Sequence, residues 1–111
     1  MGVDCIHVVM IGYQSSKEVD YDSTEHLRPN WDLNNDLNKT VIVEDMSGEY
    51  TYVGRVLTHS ASTRWDSGCF DTPQRVSLDD LTRLINELSS DEMYNKYCEE
   101  KPELKIFTYY S

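Results

Sequence analysis

One cysteine and two histidines are the side chains in this sequence best suited to nucleophilic catalysis. Cys69 lies in a turn-rich stretch, residues 66–70, and His59 and His7 are the available bases. Attack by a thiolate needs a base within hydrogen-bonding distance and a third group that orients this base. No local spacing brings these residues together. We therefore expect a half-buried cysteine and no catalytic residue.

A second candidate site follows a predicted strand, where residues 59–64 read His-Ser-Ala-Ser-Thr-Arg. An arginine can hold a phosphate through two parallel hydrogen bonds, and hydroxyl groups can add further donors. This alternative is a protein that binds a nucleotide or phosphate ligand, or a phosphoesterase. Its pocket would be lined by His59, Ser60, Ser62 and Arg64. Only one such element occurs and the glycines are scattered, so an ordinary polar loop is the favoured interpretation.

The histidines and cysteines do not have the spacing of a metal site. Neither a C-x-x-C nor an H-E-x-x-H pattern occurs, and only Cys5 and His7 are close in sequence. The acidic run over residues 20–25 lacks the glycine and the final glutamate of a calcium-binding loop. We therefore expect no metal ion and no other cofactor.

Acidic side chains dominate the composition. Twenty Asp and Glu residues against ten Lys and Arg residues give the chain a formal charge of −10. We expect no direct binding of such a chain to nucleic acid, because the release of counterions from phosphates needs a basic surface. Duplex DNA carries one charge per about 1.7 Å, so this net charge matches only about 17 Å of duplex, which is too little to mimic DNA as a whole. No window approaches eighteen apolar residues, which argues against a membrane-spanning protein.

A long irregular stretch, residues 14–39, combines many of these acidic residues with aromatic ones, and we call it the acidic segment. It shows no helical or strand periodicity, and so long a loop inside a small domain usually has a function. Acidic groups steer a basic partner and rigid rings anchor it. The candidate contact residues are Glu18, Asp20, Asp22, Glu25, Trp31 and Asp32.

These features predict a non-enzymatic protein that blocks a basic, nucleic-acid-handling protein partner. Small acidic domains are typical of phage-encoded inhibitors of host defence, including anti-CRISPR and anti-restriction proteins, and this analogy rests on composition alone. The three cysteines form an odd set without paired spacing, and the N-terminus lacks the features of a secretory signal. We therefore expect a cytoplasmic protein without membrane contact.

The remaining pattern predicts one α+β domain over residues 1–111. The predicted strands cover residues 3–13, 40–45, 49–59 and 104–110, and two helices begin near Ser77 and Asp91. The second and third strands form a hairpin around Gly48, and Gly54 marks a bulge or a close backbone approach. Leu78, Leu81, Leu84, Ile85 and Leu88 form the apolar stripe of the first helix.

The order β-long loop-β-β-α-α-β favours an antiparallel or mixed sheet with two helices packed on one face. The first strand is apolar on both sides, which predicts a central strand that is covered on both faces. The acidic segment would cover the second face, or a partner subunit would, in a structural homo-oligomer.

Overall fold

The computed structural model describes residues 5–20, 22–30, 37–44, 50–60 and 75–110. Within these ranges, four strands, two α-helices and one 3₁₀ helix follow one another. They are β1 (Cys5–Gln14), the 3₁₀ helix (Asp22–Leu27), β2 (Val41–Glu44), β3 (Thr51–His59), α1 (Leu78–Ser89), α2 (Glu92–Tyr97) and β4 (Glu103–Tyr110). The predicted α+β class and the predicted order of elements are confirmed.

The strands form one antiparallel sheet in the order β2-β3-β1-β4. Ile42 pairs with Val53 and Glu44 with Thr51, so the predicted hairpin of β2 and β3 is confirmed, while its turn lies outside the described residues. β1 lies between β3 and β4, as its two apolar sides predict. A strand in this place has no free edge and needs apolar neighbours above and below.

Both faces of the sheet carry a buried apolar cluster. On the face covered by the helices, the side chains in contact are Ile11, Ile42, Val53, Leu57, Leu84, Leu88, Tyr94 and Tyr97. The opposite face buries Ile6, Val8, Met10, Val41, Val43 and Val56. On that face the rings of Tyr52 and Phe107 stack with their centroids 4.5 Å apart. Because the second cluster is buried within one chain, β1 does not need a partner subunit to cover it.

The acidic segment does not lie where it was expected. Its described apolar side chains, Val19, Leu27 and Leu37, pack into the cluster on the helix side of the sheet. The expectation that this segment covers the second face is therefore wrong for its described residues. Sequence patterning identifies apolar anchors in a loop, but it does not say which face of the sheet they reach.

The two helices begin where their capping residues predict. The hydroxyl of Ser77 accepts a hydrogen bond from the backbone N–H of Asp80, and the carboxylate of Asp91 accepts one from Tyr94 at 2.9 Å. Leu84 and Leu88 are fully buried as predicted, whereas Leu78 is 78% exposed. The stripe predicts the direction of a side chain but not whether the sheet extends far enough to cover it, and this explains the error at Leu78.

Two glycines face each other where β1 and β3 come closest. Gly12 pairs with Gly54, and a Cβ atom on either residue would come closer than 3.0 Å to a backbone carbonyl oxygen of the other strand. The predicted close approach at Gly54 is thus confirmed. The bulge lies elsewhere, because the register shifts between the pairs Val9–Thr58 and Met10–Val56.

We expect Gly54→Ala to lower the free energy of unfolding by at least about 2 kcal/mol, because the added methyl group meets immovable backbone. Urea unfolding followed by circular dichroism measures this loss. Gln14→Ala, at the exposed end of β1, is the control and is expected to change stability by less than about 0.5 kcal/mol. Equal stability of the Gly54 variant and the wild type would contradict the close approach.

Candidate protein-binding surface

The 3₁₀ helix organises the described part of the acidic segment. Thr24 and Leu27 are buried, and the Thr24 hydroxyl donates a 2.6 Å hydrogen bond to the carbonyl of Asp20. The hydroxyl of Ser23 also donates to the same carbonyl, at 3.4 Å. The small polar and apolar side chains therefore turn inward and fix the backbone, which leaves the acidic side chains outside.

The candidate acidic contact residues that the structure describes are all exposed. They are Glu18, Asp20, Asp22 and Glu25. Within the described ranges, none of these carboxylates makes an ion pair. Trp31 and Asp32, the other two candidates, lie outside the described residues. The four carboxylates therefore present their negative charge to solvent.

One basic residue of the same segment, Arg28, is engaged with the body of the protein. Arg28 forms a 3.1 Å ion pair with Glu44 at the end of β2, with side chains 18% and 30% exposed. Lys39 donates a 3.0 Å hydrogen bond to the backbone carbonyl of His26. Lys17 remains exposed beside Glu18. Arg28 thus holds the segment in place, and the exposed Lys17 and Lys39 compensate only part of the outward-facing negative charge.

A buried arginine on β3 holds the end of the acidic segment against the helices. Arg55 is only 9% exposed, and its guanidinium donates a 3.1 Å hydrogen bond to the carbonyl of Leu37. The same group forms ion pairs with Glu87 on α1 and, at 3.7 Å, with Asp91 at the start of α2. Sequence reasoning missed this residue. The available signal was a basic side chain between two inward-facing positions of a strand, Val53 and Leu57.

An open depression of about 260 Å³ lies beside the acidic segment, where β1 ends and β3 begins. Its lining comes from the segment, with Lys17, Glu18 and Val19, and from Glu44 and Thr51 on the neighbouring strands. The depression is wide and polar. Sites for small molecules are usually deep, mostly apolar clefts, so it does not have that form. Its shape suits a side chain of a protein partner better than an enclosed ligand.

The alternative phosphate site is only partly described. His59 and Ser60 are both buried, while Ser62 and Arg64 lie outside the described residues. The Ser60 hydroxyl accepts a 2.8 Å hydrogen bond from the backbone N–H of His7, and its own N–H donates to the His7 carbonyl. These contacts give Ser60 a structural role at the end of the β1–β3 pairing. A phosphate pocket at this place stays a prediction.

Two buried titratable groups near α2 have raised pKa values. Burial raises the pKa of the Cys98 thiol to about 11, and the thiol lies 3.4 Å from the Tyr13 carbonyl. Burial is also the main reason why the pKa of the Tyr94 hydroxyl is raised, and the nearby titratable groups Cys98 and Tyr13 add to it. That hydroxyl donates a 2.7 Å hydrogen bond to the carbonyl of Glu100. Both groups stay protonated at neutral pH and serve packing.

Within the part of the chain that the structure describes, no cluster of His, Cys, Asp or Glu is placed to hold a metal ion. None of the described helices has the length and apolar character needed to cross a membrane. No protein-family model matches the chain, and no curated protein and no solved structure shows significant similarity to it. The chemistry of the surface itself is therefore the basis for a functional assignment.

Replacing Arg55 by Met should lower the free energy of unfolding by about 2–3 kcal/mol, because two carboxylates and the Leu37 carbonyl lose their donor. Arg83→Met is the matched control. Arg83 bonds the same carboxylate, Glu87, but from an exposed position, so solvent already screens that contact and its loss should be much smaller. Chemical unfolding of both variants measures the two losses of stability. Equal losses would contradict a larger contribution of the buried Arg55 contacts than of the exposed Arg83 contact.

The Cys98 thiol should resist alkylation by iodoacetamide at pH 8 in the folded protein. With a pKa of about 11, only about one thiol in a thousand is ionised at this pH, and burial also blocks access. Mass spectrometry of the peptide that contains Cys98 measures the modification, with guanidinium-unfolded protein as the fully labelled control. Rapid labelling of the native chain would contradict the burial of this group.

Proposed function

We propose that the protein is a non-enzymatic binding protein that engages a basic protein partner through the acidic segment. The observation that carries this proposal is the sorting of charge in that segment. Four exposed carboxylates make no ion pair among the described residues, while Arg28 is held inward by Glu44 and the exposed Lys39 bonds to a backbone carbonyl of the segment itself. A surface built in this way attracts cations without first having to break its own ion pairs.

The magnitude of the charge also favours a protein partner. The chain carries −10 in total, and exposed charges act over a Debye length of about 8 Å at physiological salt. Groups within that distance of one another act together on an approaching basic surface and raise the rate of association. The contact itself would need about 800 Å² on each partner, which is feasible for a chain with a total accessible surface of 7141 Å².

On this proposal the partner handles nucleic acid, since such proteins carry basic grooves that an acidic surface can occupy. The protein would cover one groove and so block it. This is the mode of action expected of a phage-type inhibitor of a host defence system, as in anti-CRISPR and anti-restriction proteins. The support for this finer proposal is the acidic composition and the exposed carboxylates, together with a chain too small and too weakly charged to imitate a long duplex.

The test removes the four described carboxylates of the acidic segment without changing side-chain size. This variant combines Glu18→Gln, Asp20→Asn, Asp22→Asn and Glu25→Gln. The control variant removes four exposed carboxylates elsewhere and has the same net charge. It combines Asp79→Asn, Glu92→Gln, Glu99→Gln and Glu100→Gln. The immobilised wild-type chain first captures basic proteins from native host lysate at low salt, and each variant is then titrated with the captured protein by calorimetry.

We expect the first variant to bind at least about tenfold more weakly than the wild type, and the control variant to bind within about threefold of it. Wild-type affinity should also fall at least about tenfold between 50 and 300 mM salt. Equal weakening in both variants would assign binding to net charge rather than to the acidic segment. Affinity that does not change with salt, or capture of no basic protein, would overturn the proposal.

A further inference from the structure

The outer edge of β4 is unpaired among the described residues. β4 ends the sheet order β2-β3-β1-β4, and its other side pairs with β1 over its full length. Two of its apolar side chains, Leu104 and Ile106, are 48% and 72% exposed. An exposed edge of this length with apolar side chains is a template for pairing with another strand.

The hydrogen bonds of β1 show which residues of β4 direct their backbone groups outward. The carbonyl of His7 accepts a hydrogen bond from the N–H of Ser60, which follows β3. The N–H of Ser15, which follows β1, donates to the carbonyl of Thr51 on β3. The odd-numbered residues of β1 therefore direct their backbone groups toward β3. Since successive residues of a strand direct their backbone groups to opposite sides, the even-numbered ones face β4. Met10 is one of them and pairs with Lys105. The odd-numbered residues of β4 are thus used inside the sheet, and its even-numbered residues face outward.

We propose that the occupant of this edge is β4 of a second copy of the chain. An antiparallel pair with its two-fold axis at Ile106 places Ile106 opposite its own copy and Leu104 opposite Thr108. All three residues are outward-facing, so the pair forms about six backbone hydrogen bonds. The two exposed apolar side chains then lie on the same face of a continuous eight-stranded sheet, four strands from each copy, and cover one another.

The local charge of β4 does not oppose a second copy at this edge, and it selects the register. The described side chains of β4 include one acid and one base, Glu103 and Lys105, which pair with each other at 3.1 Å, so this strand is neutral in a chain of −10. Centring the axis on Lys105 would place two ammonium groups opposite each other. Centring it on Ile106 places Lys105 opposite Phe107, which avoids that repulsion.

The acidic segment does not interfere with this pairing. Arg28 ties the segment to Glu44 on β2, which is the opposite edge of the sheet. Three strand spacings of about 4.8 Å separate the two edges. This distance exceeds the Debye length of about 8 Å, so the most acidic surfaces of two copies are screened from each other.

Sedimentation velocity at about 10 and about 500 μM protein tests the proposal, because mass action favours a dimer at the higher concentration. We expect the wild type to move from a 12.9 kDa monomer toward twice that mass. Ile106→Lys should remain monomeric throughout, since it places two like charges opposite each other on the axis. Leu78→Lys is the control, because Leu78 is exposed to a similar extent, 78% against 72%, but lies on α1. A monomeric wild type, or a dimer that persists in Ile106→Lys, would overturn the proposal.

Cross-linking tests the register independently of stability. Directly opposed residues with outward backbone groups have Cα atoms about 5.5 Å apart, which suits a disulfide bond. Ile106→Cys should therefore form a covalent dimer through residue 106 under mild oxidation. Leu104→Cys should not, because the two copies of residue 104 are about 14 Å apart in this register. Mass spectrometry identifies the linked peptides, and the reverse pattern would refute the axis at Ile106.

Discussion

The guanidinium of Arg55 is a positive charge on an inward-facing position of β3. Its partners come from α1, from the start of α2 and from the acidic segment, so this one group fixes how these three parts pack on the sheet. A buried cation is tolerated only with anionic and hydrogen-bonding partners. α1 supplies Glu87, the start of α2 supplies Asp91, and the end of the acidic segment supplies the Leu37 carbonyl. Asp91 also caps α2, so one carboxylate couples the first turn of this helix to the sheet. The helices and the segment therefore cannot move independently on the sheet.

This arrangement also decides where the charge of the protein appears. Arg28 and Arg55 form ion pairs with half-buried carboxylates of the sheet and the helices. Basic residues are scarce in this chain, so each one held inward leaves more of the surface negative. The carboxylates of the 3₁₀ helix remain outside because Thr24 and Leu27 fill its inward side. The same placement, with Arg28 and Arg55 inside and the carboxylates of the 3₁₀ helix outside, thus both holds the elements together and makes the surface acidic.

Local signals in the sequence predicted what depends on neighbours along the chain. The two-sided apolarity of β1, the hairpin of β2 and β3 and the cap at Ser77 are of this kind, and all are confirmed. The exposure of Leu78 and the partners of Arg55 depend on where elements distant in sequence come to rest. Periodicity does not contain that information. Four of the six candidate acidic and aromatic contacts could be placed on the surface, because exposed carboxylates follow from solvation alone.

The two edges of the sheet differ in chemistry because they differ in what the chain attaches to them. β2 is short, and the acidic segment is tied to it through Arg28 and Glu44. β4 is twice as long, nearly neutral, and free of such an attachment among the described residues. An edge with free backbone groups attracts another strand unless charge or a bulge opposes it. In this sheet charge opposes pairing at the β2 edge and not at the β4 edge, so self-association through β4 leaves both acidic segments open to a basic partner.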